Sequence, residues 1–190
     1  GLLAQLAESG VTHTALEASS HGLDQFRVDG VTLKAAAFTN LSRDHLDYHG
    51  DMNAYLAAKA RLFTEVLTDD GVAVLNADDP CFSQLEEQIG GRCRILSYGV
   101  NGGSIEIAEL VPLADGLAVR LVINGAECDL SLGLIGGFQA YNLCAALGLV
   151  LAEENIDRAA VIEAASKLQG APGRMCCLVP AVTVIGVNDR

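Results

Sequence analysis

Short apolar runs, each closed by a polar turn, alternate with helical patterns through the first half of this chain. Alternating or unbroken apolar residues are typical of strands, whereas apolar residues three and four positions apart are typical of amphipathic helices. The pattern predicts strands over 11–18, 31–38, 71–75 and 93–98 and helices over 2–9, 52–67 and 81–89. Strands that alternate with helices indicate an α/β fold, with a mainly parallel sheet flanked by helices.

The pattern changes in the second half. Three strand candidates lie between residues 104 and 132, separated by Asp-Gly and Asn-Gly dipeptides. Such dipeptides favour tight hairpins, so this part is predicted to be a small antiparallel β meander. Helical patterns return over 138–153 and 157–168. The chain begins inside a helical pattern without a methionine and ends in an apolar run typical of a strand, so we expect it to be cut from a larger protein.

Composition excludes several classes of protein. With 51% hydrophobic and only 19% charged residues, the chain has ample apolar surface for a core and is not disordered. A net charge of −12 argues against general nucleic-acid binding, and no apolar stretch is long enough for a membrane helix. The six cysteines show no metal-binding spacing, Cys144 is expected in the core, and no signal peptide opens the chain. We therefore expect a cytoplasmic location.

Lys59 is the most unusual residue, because it lies in the middle of an apolar helical stripe. The stripe consists of Met52, Tyr55, Leu56, Leu62, Phe63, Val66 and Leu67. One interpretation is that the stem of Lys59 packs on the stripe while its amine extends to water. The other is a buried amine with a lowered pKa, which can react with carbon dioxide to give a carbamate, an anionic oxygen ligand.

Two further candidates follow predicted strands at the edge where the carboxyl ends of parallel strands gather, which is where such sheets bind ligands. Glu17 ends the first strand, and His45 lies in the turn after the second. Taken singly, each has a structural explanation: Glu17 as a strand-end acid that faces water, and His45 as a histidine that caps a turn. Taken with Lys59, they predict a metal site, because a carboxylate suits a hard cation such as magnesium.

The remaining candidates each have a structural alternative. Arg27 and Arg43 could bind an anionic substrate or be ordinary surface residues. Asn142 could hydrogen-bond a base or cap a loop, and Arg174 follows a Pro-Gly pair that could bring a cation to a phosphate. The stretch Asn76–Pro80 could be only a polar turn.

These residues also lie in motifs that resemble the Mur ligases of peptidoglycan synthesis. The motifs are ALEASSHGLDQFRVDGVTLKAAAFTNLSRDHLDYHGDMNAYLAAKARLF at 15–63, NADDP at 76–80, GGFQAYNLCAAL at 136–147 and GAPGRM at 170–175. The resemblance covers residues 11–175 and is strongest to the branch that adds the third residue of the peptide. It implies that residues 1–175 form a central ATP-binding domain of P-loop type and that 176–190 lead into a C-terminal domain.

The resemblance also implies roles for individual residues. Lys59 matches a carbamylated lysine and, with Glu17 and His45, would hold Mg²⁺. Three residues match contacts to the UDP-N-acetylmuramoyl dipeptide, namely Ser19, Gln25 and Arg27. Two others match positions used for ATP, namely Asn142 and Arg174. The implied reaction is ATP-dependent addition of meso-diaminopimelate to UDP-N-acetylmuramoyl-L-alanyl-D-glutamate through an acyl phosphate, by a monomer that binds neither nucleic acid nor membrane.

Three departures from the family's pattern accompany this resemblance. The phosphate loop G-x-x-G-K-[ST] is absent, Gln139 stands where an asparagine is expected, and the Asp-Tyr-Ala-His-Thr-Pro stretch does not follow Arg174. The 190-residue chain alone is therefore predicted to have no ligase activity. The alternatives are a lysine-adding Mur ligase, a folylpolyglutamate-type or cyanophycin-type ligase, and a non-catalytic remnant.

Overall fold

The computed structural model describes residues 1–41, 46–168 and 182–187. The strands within these residues are β1 (His13–Ala18), β2 (Leu33–Phe38), β3 (Leu67–Asn76), β4 (Arg94–Gly99), β5 (Ile105–Leu113), β6 (Gly116–Ile123), β7 (Ala126–Leu132) and β8 (Val182–Val187). The helices are α1 (Leu2–Glu8), α2 (Ser20–Asp24), α3 (Leu46–His49), α4 (Met52–Arg61), α5 (Phe82–Ile89), α6 (Phe138–Leu151) and α7 (Arg158–Ser166). A π-helical turn, Leu62–Val66, extends α4.

The described strands form one sheet in the order β1-β8-β2-β3-β4-β5-β6-β7. The pairs β2–β3, β3–β4 and β4–β5 are parallel. Helices make the crossovers from β2 to β3 and from β3 to β4, as parallel pairs usually require, whereas only the short loop 100–104 joins β4 to β5. The strands β5, β6 and β7 form an antiparallel meander. Because β8 is antiparallel to both β1 and β2, these two strands run in the same direction. The predicted α/β fold with a mainly parallel sheet and a small meander is confirmed.

Alternate residues of the central strands face two separate apolar layers. In β3, Val72 and Val74 face the layer that contains α6, whereas Ala73 and Leu75 face the layer that contains α4 and α5. The sheet is therefore covered by helices on both faces, as α/β proteins require. Cys144 lies in the α6 layer and is fully buried, which confirms it as a core residue.

The helix α6 approaches the sheet closely because it carries a glycine at the contact. A Cβ at Gly148 would lie 2.4 Å from the Cγ1 of Val74, so only a glycine allows this separation between helix and sheet. This contact fixes α6, whose second turn bears Asn142, against β3.

Two short helices depart from the sequence prediction. The stretch after Ala18 was predicted as a polar turn, but it forms α2, because the Oγ of Ser19 caps the helix by accepting from the Gly22 amide at 3.1 Å. The helix α3 was also not predicted, because four residues are too few to show a helical period. The apolar run at 184–187 does belong to a strand, β8.

Candidate active site

Lys59 lies on α4, which begins at the residue the sequence predicted. The Oδ1 of Asp51 accepts from the Ala54 amide at 2.8 Å and so caps the helix. The Lys59 side chain is 0% exposed, and its Nζ donates to the carbonyl of Asn40 at 2.7 Å. The same Nζ lies 5.0 Å from the ring centroid of Tyr55 and 5.6 Å from that of Phe38. The amine therefore does not extend to water, and the buried interpretation is the correct one.

Burial has a direct chemical consequence for this amine. Loss of hydration lowers the pKa of Lys59 to about 8, although the charges of Asp79 and Cys81 partly oppose the shift. At pH 7 roughly a tenth of such an amine is neutral, against well under one part in a thousand for an ordinary lysine. The neutral amine is the form that can attack carbon dioxide.

The lowered pKa predicts a pH-dependent stability. Below pH 8 the folded and unfolded states both carry a protonated Lys59, and folding bears the full cost of burying the charge. Between about 8 and 10.5 only the unfolded state keeps the proton, so the free energy of unfolding should rise with pH by about 3 kcal/mol in total. Urea unfolding in buffers free of carbon dioxide, with Lys59→Met as the reference, isolates this contribution from those of other groups.

The matched control is Lys34→Met, because the Lys34 amine lies at the surface, 3.2 Å from a carboxylate oxygen of Asp70. The difference in the free energy of unfolding between wild type and Lys34→Met should not rise between pH 8 and 10.5. The buried-amine assignment would be contradicted if the difference in the free energy of unfolding between wild type and Lys59→Met stayed constant over the same pH range.

Four consecutive residues at the end of β2, 38–41, are each hydrogen-bonded through a backbone group to a different side chain. The bonds run from Tyr98 Oη to the Phe38 carbonyl (3.1 Å), from Asn76 Nδ2 to the Thr39 carbonyl (2.8 Å), from Lys59 Nζ to the Asn40 carbonyl (2.7 Å) and from the Leu41 amide to Asp79 Oδ2 (3.0 Å). Both Tyr98 and Asn76 are buried. The segment before residue 42 is therefore fixed relative to Lys59 and Asp79.

Asp78 joins three elements at the same edge of the sheet. Its carboxylate accepts from the Val100 amide (2.6 Å), from the Asn101 amide and side chain (2.9 and 2.7 Å) and from the Tyr141 hydroxyl (2.9 Å). Burial alone would raise the pKa of Asp78, but these hydrogen bonds outweigh it and keep the pKa below its ordinary value. The carboxylate thus connects the end of β3, the loop after β4 and the first turn of α6.

Asn142 is brought to this edge because its neighbour Tyr141 binds Asp78. The side chain of Asn142 is exposed, and its Nδ2 donates to Oε1 of Gln139 at 3.2 Å. The glutamine that departs from the family's pattern therefore contacts the asparagine predicted to bind ATP. The contact of Asn142 with a nucleotide stays a prediction.

The residues predicted to bind the muramoyl dipeptide lie on or beside α2. Ser19 caps the helix, Gln25 follows its last residue, and Arg27 lies in the next turn, all three being exposed. The Nε2 of Gln25 donates to the Tyr48 hydroxyl at 3.3 Å, and that hydroxyl donates to Asp24 at 2.9 Å. These hydrogen bonds connect α2 to α3.

A cluster of aromatic rings, which sequence reasoning missed, packs between α2, α3 and α4. The His49 ring stacks on Tyr55 at 4.9 Å and meets Tyr48 edge-on at 4.8 Å, while His21 lies 4.0 Å from Tyr48. The Nε2 of His49 is 2.9 Å from Oγ of the buried Ser20. The rings place α3 beside the helix that carries Lys59, and the sequence signal for them is the run of aromatic residues at 48, 49 and 55.

The predicted metal site is only partly described. Glu17 is the next-to-last residue of β1, exposed and at the expected edge, whereas His45 lies outside the described residues, as do Arg43 and Arg174. In the part of the chain that is described, no three His, Cys, Asp or Glu side chains cluster as a metal site would require. The metal ligands therefore stay a prediction.

The chain matches a family of known proteins over most of its length. The model of the Mur ligase middle domain matches residues 1–150. The chain belongs to the Mur ligase family. This agrees with the family that the motifs around Lys59, Asp78 and Asn142 resemble.

Two relatives within the family carry the same enzyme name. The chain is 44% identical over 175 residues to UDP-N-acetylmuramoyl-L-alanyl-D-glutamate–2,6-diaminopimelate ligase of Caulobacter vibrioides, covering 92% of this chain and 36% of that protein. A solved structure of a ligase with the same name is 39% identical, with a TM-score of 0.72, and covers 83% of this chain and 32% of that one. The MurF ligase of Thermotoga maritima with ADP shares the fold, at 21% identity, a TM-score of 0.61 and 74% and 32% coverage.

The chain thus spans about a third of the length of the relatives it matches. Over residues 1–41 and 46–168, none of the helices combines the length and apolar character that crossing a bilayer requires.

Proposed function

We propose that this chain is the middle, ATP-binding part of a ligase that adds meso-diaminopimelate to UDP-N-acetylmuramoyl-L-alanyl-D-glutamate. Residues 1–175 form this domain, and 176–190 lead to the domain that selects the amino acid. The observation that carries the proposal is the fully buried amine of Lys59, with its lowered pKa, at the edge of the sheet where such folds bind ligands. The 44% identity to a diaminopimelate ligase supports the choice of amino acid.

In this proposal Lys59 acts as a carbamate. The neutral amine attacks the carbon of carbon dioxide, so that a C–N bond forms while one C=O π bond breaks and leaves its electron pair on oxygen. The nitrogen then loses a proton to water, which leaves an anionic carbamate. This carboxylated lysine would hold Mg²⁺ together with Glu17 and His45, since the carbamate and carboxylate oxygens are the donors that such a hard cation prefers. When bound, magnesium would neutralise charge on the phosphates of ATP.

The other residues bind and orient the substrates. Ser19, Gln25 and Arg27 contact the muramoyl dipeptide, with Gln25 oriented by the Tyr48 hydroxyl. Asn142 and Arg174 contact ATP. The γ-carboxylate of the D-glutamate takes the terminal phosphoryl group of ATP, and the amine of diaminopimelate then displaces phosphate from the acyl phosphate to form the amide. We propose that the enzyme works as a cytoplasmic monomer.

The test is an assay of the complete product of the gene that encodes this chain. Phosphate release and amide formation are measured with the muramoyl dipeptide, ATP and Mg²⁺, and with diaminopimelate, lysine or glutamate as the third substrate. The amide is expected to form with diaminopimelate and not with lysine or glutamate. Product with lysine would change the amino acid assigned, and no product with any of the three would make the protein a non-catalytic relative.

A further inference from the structure

We infer that Arg61 is a positioning residue, which fixes the loop carrying Gln25 and Arg27 against the helix that carries Lys59. This inference rests on the proposed function, because Gln25 and Arg27 are the proposed contacts to the muramoyl dipeptide. The loop in question is the segment 23–29, from the last turn of α2 to Asp29. Arg61 belongs to neither the loop nor the proposed substrate contacts.

One guanidinium holds this loop at three points. Arg61 donates to the carbonyl of Leu23, and its Nη2 lies 3.3 and 3.2 Å from the two carboxylate oxygens of Asp29. Its Cζ lies 4.1 Å from the ring centroid of Phe26, a cation–π contact. The contacts fall at the start, middle and end of the segment, so Arg61 determines where the whole loop lies.

The guanidinium is itself well fixed. Its side chain is only 15% exposed, and Glu65, one turn along, accepts from both Nε and Nη2 at 2.9 and 2.7 Å. A planar group with five donors can serve these partners at once, whereas a lysine ammonium cannot reproduce both the forked hydrogen bonds and the stacking. Arg61 is two residues from Lys59 on α4, so the loop is fixed to the same helix that carries the buried amine.

The backbone of the loop needs such an anchor. Phe26 has a φ of 58°, a left-handed conformation that a bulky aromatic residue rarely adopts, and its side chain is 62% exposed. A strained residue persists only where its surroundings hold it, and such strain concentrates at ligand-binding positions. Here the strained residue lies between Gln25 and Arg27, so the conformation that Arg61 stabilises is the one that places both of these side chains.

The test is Arg61→Lys in the complete gene product, with steady-state kinetics for each substrate. We expect the KM for the muramoyl dipeptide to rise about tenfold, while kcat and the KM values for ATP and diaminopimelate change by less than about twofold. In the 190-residue chain, amide hydrogen exchange should become faster in residues 23–29 and stay unchanged in β3 and β4.

Arg92→Lys is the matched control. Arg92 also donates to a carbonyl, that of Phe63 at 3.0 Å, and pairs with a carboxylate, that of Asp69, but both of these partners lie outside α2 and the loop 23–29. Its kinetic constants should stay at wild-type values.

A second variant keeps the test decisive if Arg61→Lys does not fold. Phe26→Asn removes the stacked ring from an exposed position and places there a residue that tolerates a positive φ. It should raise the KM for the muramoyl dipeptide by about threefold.

An unchanged KM in both variants, or an equal loss for all three substrates, would overturn the inference. If the wild-type protein forms no amide, the proposed function fails, and the exchange rate of residues 23–29 in Arg61→Lys still decides whether Arg61 anchors the loop.

Discussion

Replacing Lys59 by methionine is expected to lower the kcat of the complete gene product by about a thousandfold without unfolding it. Methionine fills a similar volume and needs no hydration, so the buried site, which is 0% exposed, should accept it. It cannot form a carbamate, and the anionic oxygens that the proposed mechanism needs beside the phosphates of ATP are then absent. The measurements are the rate of phosphate release and the thermal midpoint of the same preparation.

Two further measurements make this prediction specific. Lys34→Met, at the surface beside Asp70, should keep wild-type kcat. The wild-type chain incubated with ¹³C-labelled carbon dioxide should show a lysine carbamate signal that Lys59→Met lacks. A variant at position 59 whose kcat stays within about tenfold of wild type would show that no carbamate at this position takes part in the reaction.

Asp78→Ala should have the largest effect on stability, lowering the free energy of unfolding of the chain by about 4 kcal/mol. The substitution removes the acceptor for two amides, the Asn101 side chain and the Tyr141 hydroxyl. These donors belong to the loop after β4 and to α6, so both should loosen from the end of β3.

Urea unfolding measures this loss directly. The control is Asp115→Ala in the exposed turn before β6, which should change the free energy of unfolding by less than about 0.5 kcal/mol. If Asp78→Ala lost less than about 1 kcal/mol, the hydrogen bonds to Asp78 would contribute little, and NADDP would be only the polar turn that its composition allows.

The alternation of elements could be predicted because it depends on local periodicity. Apolar residues in β2, β3 and α6 face the core whatever their partners are, so the pattern alone indicates strands, helices and an α/β sheet. The Asn-Gly and Asp-Gly pairs likewise predicted the meander, because turn conformation depends on the turn residues themselves. Short elements such as α2 and α3 were not predicted, since a single helical turn has no period to detect.

The order of strands could not be predicted in the same way. The strand β8 lies between β1 and β2, with Ile185 opposite both Ala15 and Ala35. Pairing of this kind depends on backbone hydrogen bonds between segments far apart in the chain, and no local pattern encodes it. The contacts of Arg61 with residues 23–29 belong to the same class, because they join positions separated by some 35 residues.

The sequence by itself determined that a lysine lies on the apolar face of a helix and that the surrounding motifs match the Mur ligases. Only the tertiary structure decided what happens to the amine of Lys59. A lysine stem is long enough to reach water from most apolar faces, so its burial depends on what closes over it. Here the Asn40 carbonyl and the rings of Phe38 and Tyr55 enclose it. Asn40 and Phe38 come from another part of the chain, which is why periodicity along α4 could not distinguish the two interpretations.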